Sequence, residues 1–184
     1  PAMMLRRPAT GVTIGPLKRR HLRHVMPIEA DAYPRSWSRH VFESELDQVA
    51  SGTRCYLVAR SGRDVVGYAG LWFVADPDGD QAHVTNVVVD QAHRRGGIAT
   101  RLMVALAHAA RRRGCVAWTL EVRASSEGAQ DLYRRFGFAP AAVRKNYYDN
   151  HPGEPREDAI VMWCHDLDSD AYSERLARIE SELR

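Results

Sequence analysis

Cysteine is scarce in this 184-residue chain. The three residues, Cys55, Cys115 and Cys164, are far apart and odd in number. They offer neither a disulfide framework nor a metal-ligand spacing. Cys55 and Cys115 lie in or beside apolar strand-like runs, which predicts buried free thiols and fits a reducing, cytoplasmic compartment. Long apolar runs are missing too, so neither a transmembrane span nor a signal-peptide core is expected, and no membrane partner. The eight histidines follow no ligand spacing, and no metal is expected. Charge of one sign is not in excess. The net +3 gives no reason to expect a direct nucleic-acid partner, though it suits an anionic ligand. The basic run Arg111–Arg113 has no interleaved aromatic residues and reads as a solvated helix end. No repeat or low-complexity tract appears. The length allows one domain with a sizeable core.

What is present centres on residues 84–101. Val87, Val88 and Val89 form a β-branched run, as a buried strand requires. Asp90 to His93 breaks it. Arg94, Arg95, Gly96, Gly97, Ile98 and Ala99 then open a helix whose apolar positions Ile98, Leu102 and Leu106 recur every four residues. Glycines admit a close backbone approach, and the first helical turn offers free N–H groups and a positive dipole end. With two arginines at the turn, this pattern suits a phosphorylated ligand. An ordinary strand-to-helix turn with basic surface residues gives the same pattern.

Before this stretch the spacing predicts a strand at Val12–Ile14 and a helix over Lys18–Asp31 that Pro27 kinks or restarts. A loop follows at Tyr33–Ser38. Ser38 then caps a helix to about Val49, with Val41, Phe42, Leu46 and Val49 as its apolar face. Cys55–Ala59 and Val65–Val74 read as a hairpin around Gly62. After it, the helix runs to about Arg113 and stops at Gly114. A strand follows at Val116–Val122. Ser125 or Ser126 caps a helix ended by Gly137. Two more strands, Phe138–Tyr148 and Ala159–His165, surround residues 150–155. Ala171–Leu183 reads as a polar helix or frayed tail. Strands interrupted by helices, with two hairpins, imply a mixed α/β (α+β) sheet of about seven strands flanked by helices. Residues 84–122 form a strand–helix–strand crossover with parallel strands.

Three places can carry chemistry. Alternation puts Val116, Trp118, Leu120 and Val122 on one strand face and Ala117, Thr119, Glu121 and Arg123 on the other. Glu121 then either pairs with Arg123 at the strand end or serves as a general base in a cleft. Tyr133 is either core filler or a phenol aimed at a reacting centre. Asn86 and the backbone of Val87 to Val89 either complete a ladder or hold a developing oxyanion.

The blocks Arg94–Ala99, Leu120–Ser125, Ala129–Phe138, Arg144–Tyr148 and Glu157–Met162, in that order, resemble the GCN5-related N-acetyltransferase (GNAT) family. They are most similar to its RimI branch, the bacterial ribosomal-protein alanine N-acetyltransferases. The resemblance covers about 12–166, between an N-terminal tail, 1–11, and a polar C-terminal helix or tail, 167–184. It implies acetyl-CoA as donor, its pyrophosphate on the turn Arg94, Arg95, Gly96, Gly97, Ile98, Ala99 and Thr100. The pantetheine arm would pair with Val87, Val88 and Val89 like an extra strand. Glu121 falls on the family's general base and Tyr133 on its general acid. The acceptor implied is the N-terminal alanine of the small-subunit ribosomal protein numbered eighteen, bound by a monomer or weak dimer.

This chain departs from the family at Ser126, where relatives carry Asn at a CoA contact. The loop Tyr33–Ser38 and the turn Asp149–Arg156 are enlarged, and both flank the acceptor entrance in such a fold. Trp37, Tyr147, Tyr148, Glu157 and Asp158 are expected to line a site for a basic N-terminal peptide; alternatively they pack a hairpin and solvate its surface. An enzyme acetylating a small-molecule amine, such as an antibiotic or polyamine, and a CoA-binding module without turnover are the other readings.

Overall fold

Among the described residues, seven strands form one sheet, ordered β1-β2-β3-β4-β5-β7-β6. A computed structural model describes residues 11–184; most of the tail expected over 1–11 lies outside the described residues. The elements run β1 (Val12–Pro16), α1 (Leu22–Ala32), α2 (Arg39–Asp47), β2 (Arg54–Ser61), β3 (Asp64–Val74), β4 (Gln81–Val89) and α3 (Ile98–Arg112). They continue with β5 (Ala117–Arg123), α4 (Glu127–Arg135), β6 (Ala139–Tyr148), β7 (Glu157–Cys164) and α5 (Asp170–Glu182). Neighbours pair antiparallel except β4 and β5, which are parallel across the α3 crossover.

Local chemistry sets the boundaries. Pro27 lies inside α1 without ending it. The Ser38 hydroxyl accepts the Val41 N–H at 3.3 Å and starts α2. The apolar face expected for α2 holds only in part: Phe42 is buried, but Val41 and Val49 are exposed, because the helix ends at Asp47 and touches the sheet along a narrow stripe. Ser126 stands at the N-cap of α4 without a side-chain cap bond.

The two faces of the sheet hold separate cores. On one, α3 and α5 bury Leu102, Leu106, Trp118, Leu120 and Tyr172. Full burial of each such leucine stabilises by about 1.5–3 kcal/mol. On the other, α1 and α2 cover Tyr56, Val58, Tyr68 and Val88. The C-terminal segment is a helix whose apolar face joins the first core. Ser169 caps α5, and the Tyr172 hydroxyl donates to the Phe136 carbonyl at 2.6 Å. Cys115 and Cys164 are buried thiols, with their pKa values pushed up by burial to about 11 and about 12, while Cys55 is only half-buried.

A bulge in β4 swaps these faces. Leu71 pairs with Val84 and Gly70 with Asn86, leaving Thr85 as the extra residue. Ala82 and Val84 therefore face the α3 core, whereas Val88 faces the α1 core. Gly70 makes this possible: an added Cβ would stand 2.3 Å from the Tyr56 ring and 2.7 Å from the Thr85 hydroxyl.

Candidate active site

β4 and β5 pair for three residues only, Gln81↔Ala117, Ala82↔Trp118 and His83↔Thr119. Beyond them β4 stays with β3 as far as Gly67↔Val89, and β5 stays with β7 as far as Arg123↔Ala159. The two strands splay, and one edge of β4 is left unpaired. The Asp90 N–H donates to Val66 on β3 at 2.9 Å. Alternation then turns the Val88 backbone toward β3, and those of Val87 and Val89 into the splay. Val87 and Val89 thus both turn N–H groups into the splay, where an extended ligand or an oxyanion can take them.

The turn below the splay has the backbone that the glycines imply. Arg95 and Gly97 adopt left-handed conformations, φ 63° and 80°. Gly97 is the N-cap of α3, and no side chain caps the first turn. The N–H groups of Ile98, Ala99 and Thr100 are left to a ligand. A cleft of about 560 Å³ rises from this turn. Val87, Val88, Val89, Arg94, Arg95, Gly97, Ile98, Ala99, Thr100 and Ser126 line it, along with Glu121 and Tyr133; Gly96 does not.

A second cavity, of about 240 Å³, lies between the α1–α2 loop and β4, with Glu29, Trp37, Thr85 and Asn86 in its wall. Cleft and cavity share five residues: Tyr33, Val87, Glu121, Tyr133 and Tyr148. Both expected catalytic side chains stand at that junction. Trp37 and Tyr148 also line the second cavity. Tyr147 is exposed and packs edge-on against Tyr148 at 4.9 Å.

Glu157 and Asp158 line neither of these two spaces and are engaged elsewhere. Glu157 accepts from the Ser125 N–H at 2.8 Å and, with less effect, from Arg123 Nη1 at 3.0 Å, which holds its carboxyl below the usual range. Asp158 accepts the Asn146 N–H at 2.9 Å and Lys145 Nζ at 3.1 Å. It steadies the left-handed Asn146 (φ 50°) in β6.

Glu121 does not pair with Arg123. Arg123 turns to the β6–β7 connection, donating to Glu157, to Asn150 Oδ1 at 2.9 Å and to the Asp149 carbonyl at 2.9 Å. The Glu121 carboxylate lies 2.6 Å from His83 Nε2 and 3.6 Å from Arg144 Nε. The His83 hydrogen bond outweighs burial and holds its carboxyl below the ordinary value, so it is ionised at neutral pH. Tyr133 is the opposite case: burial pushes its phenol up to about 12, so it keeps its proton.

Sequence reasoning missed His83, Glu29 and Tyr33. For His83 a signal existed, since residues 83 and 121 fall on the same sheet face once the two strands are parallel neighbours. Glu29 is buried, accepting the Trp37 N–H at 2.8 Å and the Tyr68 hydroxyl. Among the described residues, no helix is long and apolar enough to cross a membrane. Among them, no three His, Cys, Asp or Glu side chains gather as a metal site.

Comparison with known proteins identifies the family. The acetyltransferase (GNAT) family profile matches residues 22–138. The [ribosomal protein bS18]-alanine N-acetyltransferase of Escherichia coli (strain K12) is 33% identical over 150 residues, covering 82% of this chain and 95% of that protein. The N-alpha-acetyltransferase RimI of Mycobacterium tuberculosis is 36% identical over 139 residues, covering 74% and 84%. A crystal structure of the Escherichia coli ribosomal-protein-S18-alanine N-acetyltransferase superposes with a TM-score of 0.71 at 29% identity, covering 84% of this chain and 94% of that one. The splayed mixed sheet, the glycine turn and these matches together show that the chain belongs to the acetyltransferase (GNAT) family and is an enzyme of that class.

Proposed function

We propose that this enzyme transfers the acetyl group of acetyl-CoA to the α-amine of a protein N-terminus, with the N-terminal alanine of ribosomal protein bS18 as its leading acceptor. The observation that carries the reading is the junction of cleft and cavity at Glu121, Tyr133 and Val87. One space suits a long anionic thioester and the other a chain terminus, and they meet at a carboxylate and a phenol. The acceptor is the one for which the Escherichia coli relative, a ribosomal protein bS18-alanine N-acetyltransferase, is named.

In this reading residues 12–166 carry the reaction. The pyrophosphate sits on the N–H groups of the 95–99 turn, and the arm runs along Val87–Val89. An α-amine has a reference pKa of about 7.7–8.0, so much of it arrives protonated. Glu121 takes its proton, directly or through water. The amine nitrogen then attacks the thioester carbon while the Val89 N–H holds the carbonyl oxygen. The C–S bond breaks and Tyr133 donates its proton to the departing sulfur; as the amide forms, the nitrogen sheds its second proton, which restores the phenol, and Glu121 releases its own proton to solvent. Attack is direct, so no cysteine nucleophile is required. Trp37 and Tyr148 wall the acceptor side. Glu157 and Asp158 act there indirectly, by bracing β6 and the turn that follows it.

A competition assay tests the acceptor. Peptides with free Ala, Ser, Met and Gly N-termini, an N-blocked lysine peptide and a polyamine share one reaction with acetyl-CoA. Mass spectrometry should find the alanine α-amine acetylated with the highest kcat/KM. Preferential acetylation of the polyamine or the lysine side chain would overturn the reading.

A further inference from the structure

Glu121 has two oxygens in different surroundings. Oε2 is 2.6 Å from His83 Nε2, and Oε1 faces Arg144 Nε at 3.6 Å. His83 lines neither the cleft nor the acceptor cavity, so it reaches the reaction only through Glu121. Topology explains the contact. His83↔Thr119 is the last register pair before β4 and β5 part. A side chain at 83 can still reach β5, whereas beyond it the two strands no longer pair. On the other side β3 pairs Trp72 with His83. The Trp72 ring meets the imidazole edge-on at 5.9 Å, and its Nε1 is itself held by Glu45 at 2.8 Å. The imidazole plane is thereby fixed from behind.

We infer that His83 is a positioning residue for the acetyl transfer: with the proton on Nε2 it grips Oε2 of Glu121, leaving Oε1 to meet the acceptor amine. This rests on Glu121 being the base. The grip has a second effect. Hydrogen bonding to His83 is the largest influence holding the Glu121 carboxyl below its ordinary value, with Arg144 adding to it. Tyr147 and Tyr148 face the carboxylate from β6, Tyr133 lines the same junction from α4, and the partner on β7 is the uncharged Val161. Removing His83 leaves Arg144 as the cation within 4 Å of Glu121 among the described residues. The carboxyl then titrates higher, and the acid limb of the rate moves up in pH.

The test compares wild type, His83→Ala, His83→Gln and Glu121→Gln on an alanine-terminated peptide from pH 4 to 8, with rates referred to unprotonated amine. His83→Ala should lower kcat by about tenfold or more, leave the KM for acetyl-CoA unchanged, and shift the acid limb upward by about one pH unit. His83→Gln, whose amide can still donate to Oε2, should recover part of both losses. An acid limb that fails to rise in His83→Ala overturns the inference, whatever happens to kcat, because lost packing alone admits water and lowers the carboxyl's value, whereas a lost hydrogen bond raises it. If Glu121→Gln is inactive while His83→Ala behaves as wild type, His83 alone is misassigned. If Glu121→Gln turns over normally, the base assignment falls, and this role for His83 with it.

Discussion

The backbone N–H of Trp37 donates to Oε1 of Glu29 at 2.8 Å, eight positions earlier in the chain. A side chain that is 2% exposed thus holds the α1–α2 loop over the second cavity. Burial raises its carboxyl above the ordinary value, against the opposing pull of its two hydrogen bonds. The sign follows: the folded protein binds this proton more tightly than the unfolded chain. That contribution is complete below the unfolded value near 4.5 and is lost as pH rises through the raised folded value. Glu29→Gln cannot ionise, so its stability should fall less than that of wild type between pH 4.5 and 8, as read by urea denaturation. Glu29→Ala should unfold about 1–3 kcal/mol more easily and raise the acceptor KM, with acetyl-CoA affinity unchanged.

Tyr133 is held protonated by burial, at a pKa of about 12. Its ring packs edge-on against Phe138 at 6.0 Å, so Phe at 133 keeps the packing and removes only the hydroxyl. Tyr133→Phe should lower kcat by about 10²-fold without altering acetyl-CoA affinity. Steady-state kinetics with isothermal titration of acetyl-CoA would check this. An unchanged kcat would remove the acid role.

Gly97 sits at φ 80° at the start of α3, where any Cβ is strained. Gly97→Ala should disturb the turn by about 1–3 kcal/mol and raise the acetyl-CoA KM by roughly tenfold. The acceptor KM should stay near its original value, because Gly97 lines the larger cleft and not the second cavity.

Glu45 holds α2 to the sheet. Its Oε2 accepts from Arg54 Nε at 2.7 Å, from the Tyr56 hydroxyl at 2.8 Å and from Trp72 Nε1 at 2.8 Å. The Arg54 and Glu45 side chains are only 17% and 12% exposed, so truncating the carboxylate leaves a nearly buried cation. Glu45→Ala should destabilise by about 3 kcal/mol, lowering Tm by about 6–12 °C in calorimetry.

Much of this was legible in the sequence because its signals are local. The 3.6-residue period of Ile98, Leu102 and Leu106, the glycines at 97, 114 and 137, and the serine at 38 fix helix faces and ends without tertiary help. Alternation along β5 put Glu121 opposite the core. What was hidden depends on partners. Thr85 in a bulge looks like any β-branched strand residue until Gly70 is paired with Asn86. The splay is likewise invisible, since nothing in Val87–Val89 says that β5 has left. Arg123 looked like a partner for Glu121, yet the β6–β7 connection brings it two carbonyl-type oxygens and a carboxylate instead. The stripe Tyr172, Leu176 and Ile179 of α5 has helical spacing but is diluted by charged neighbours. Its burial was legible only with α3 beside it.

The central claim is that donor and acceptor meet at Glu121, Tyr133 and the free edge of β4. A crystal structure with CoA joined through its acetyl group to the α-amine of an alanine-terminated peptide tests it most directly. The account predicts the pyrophosphate on the 95–99 turn, the linker carbonyl within hydrogen-bond reach of the Val89 N–H, and the alanine nitrogen beside Glu121. A linker carbonyl lying away from β4, or a peptide leaving by a route that bypasses Glu121 and Trp37, would contradict it.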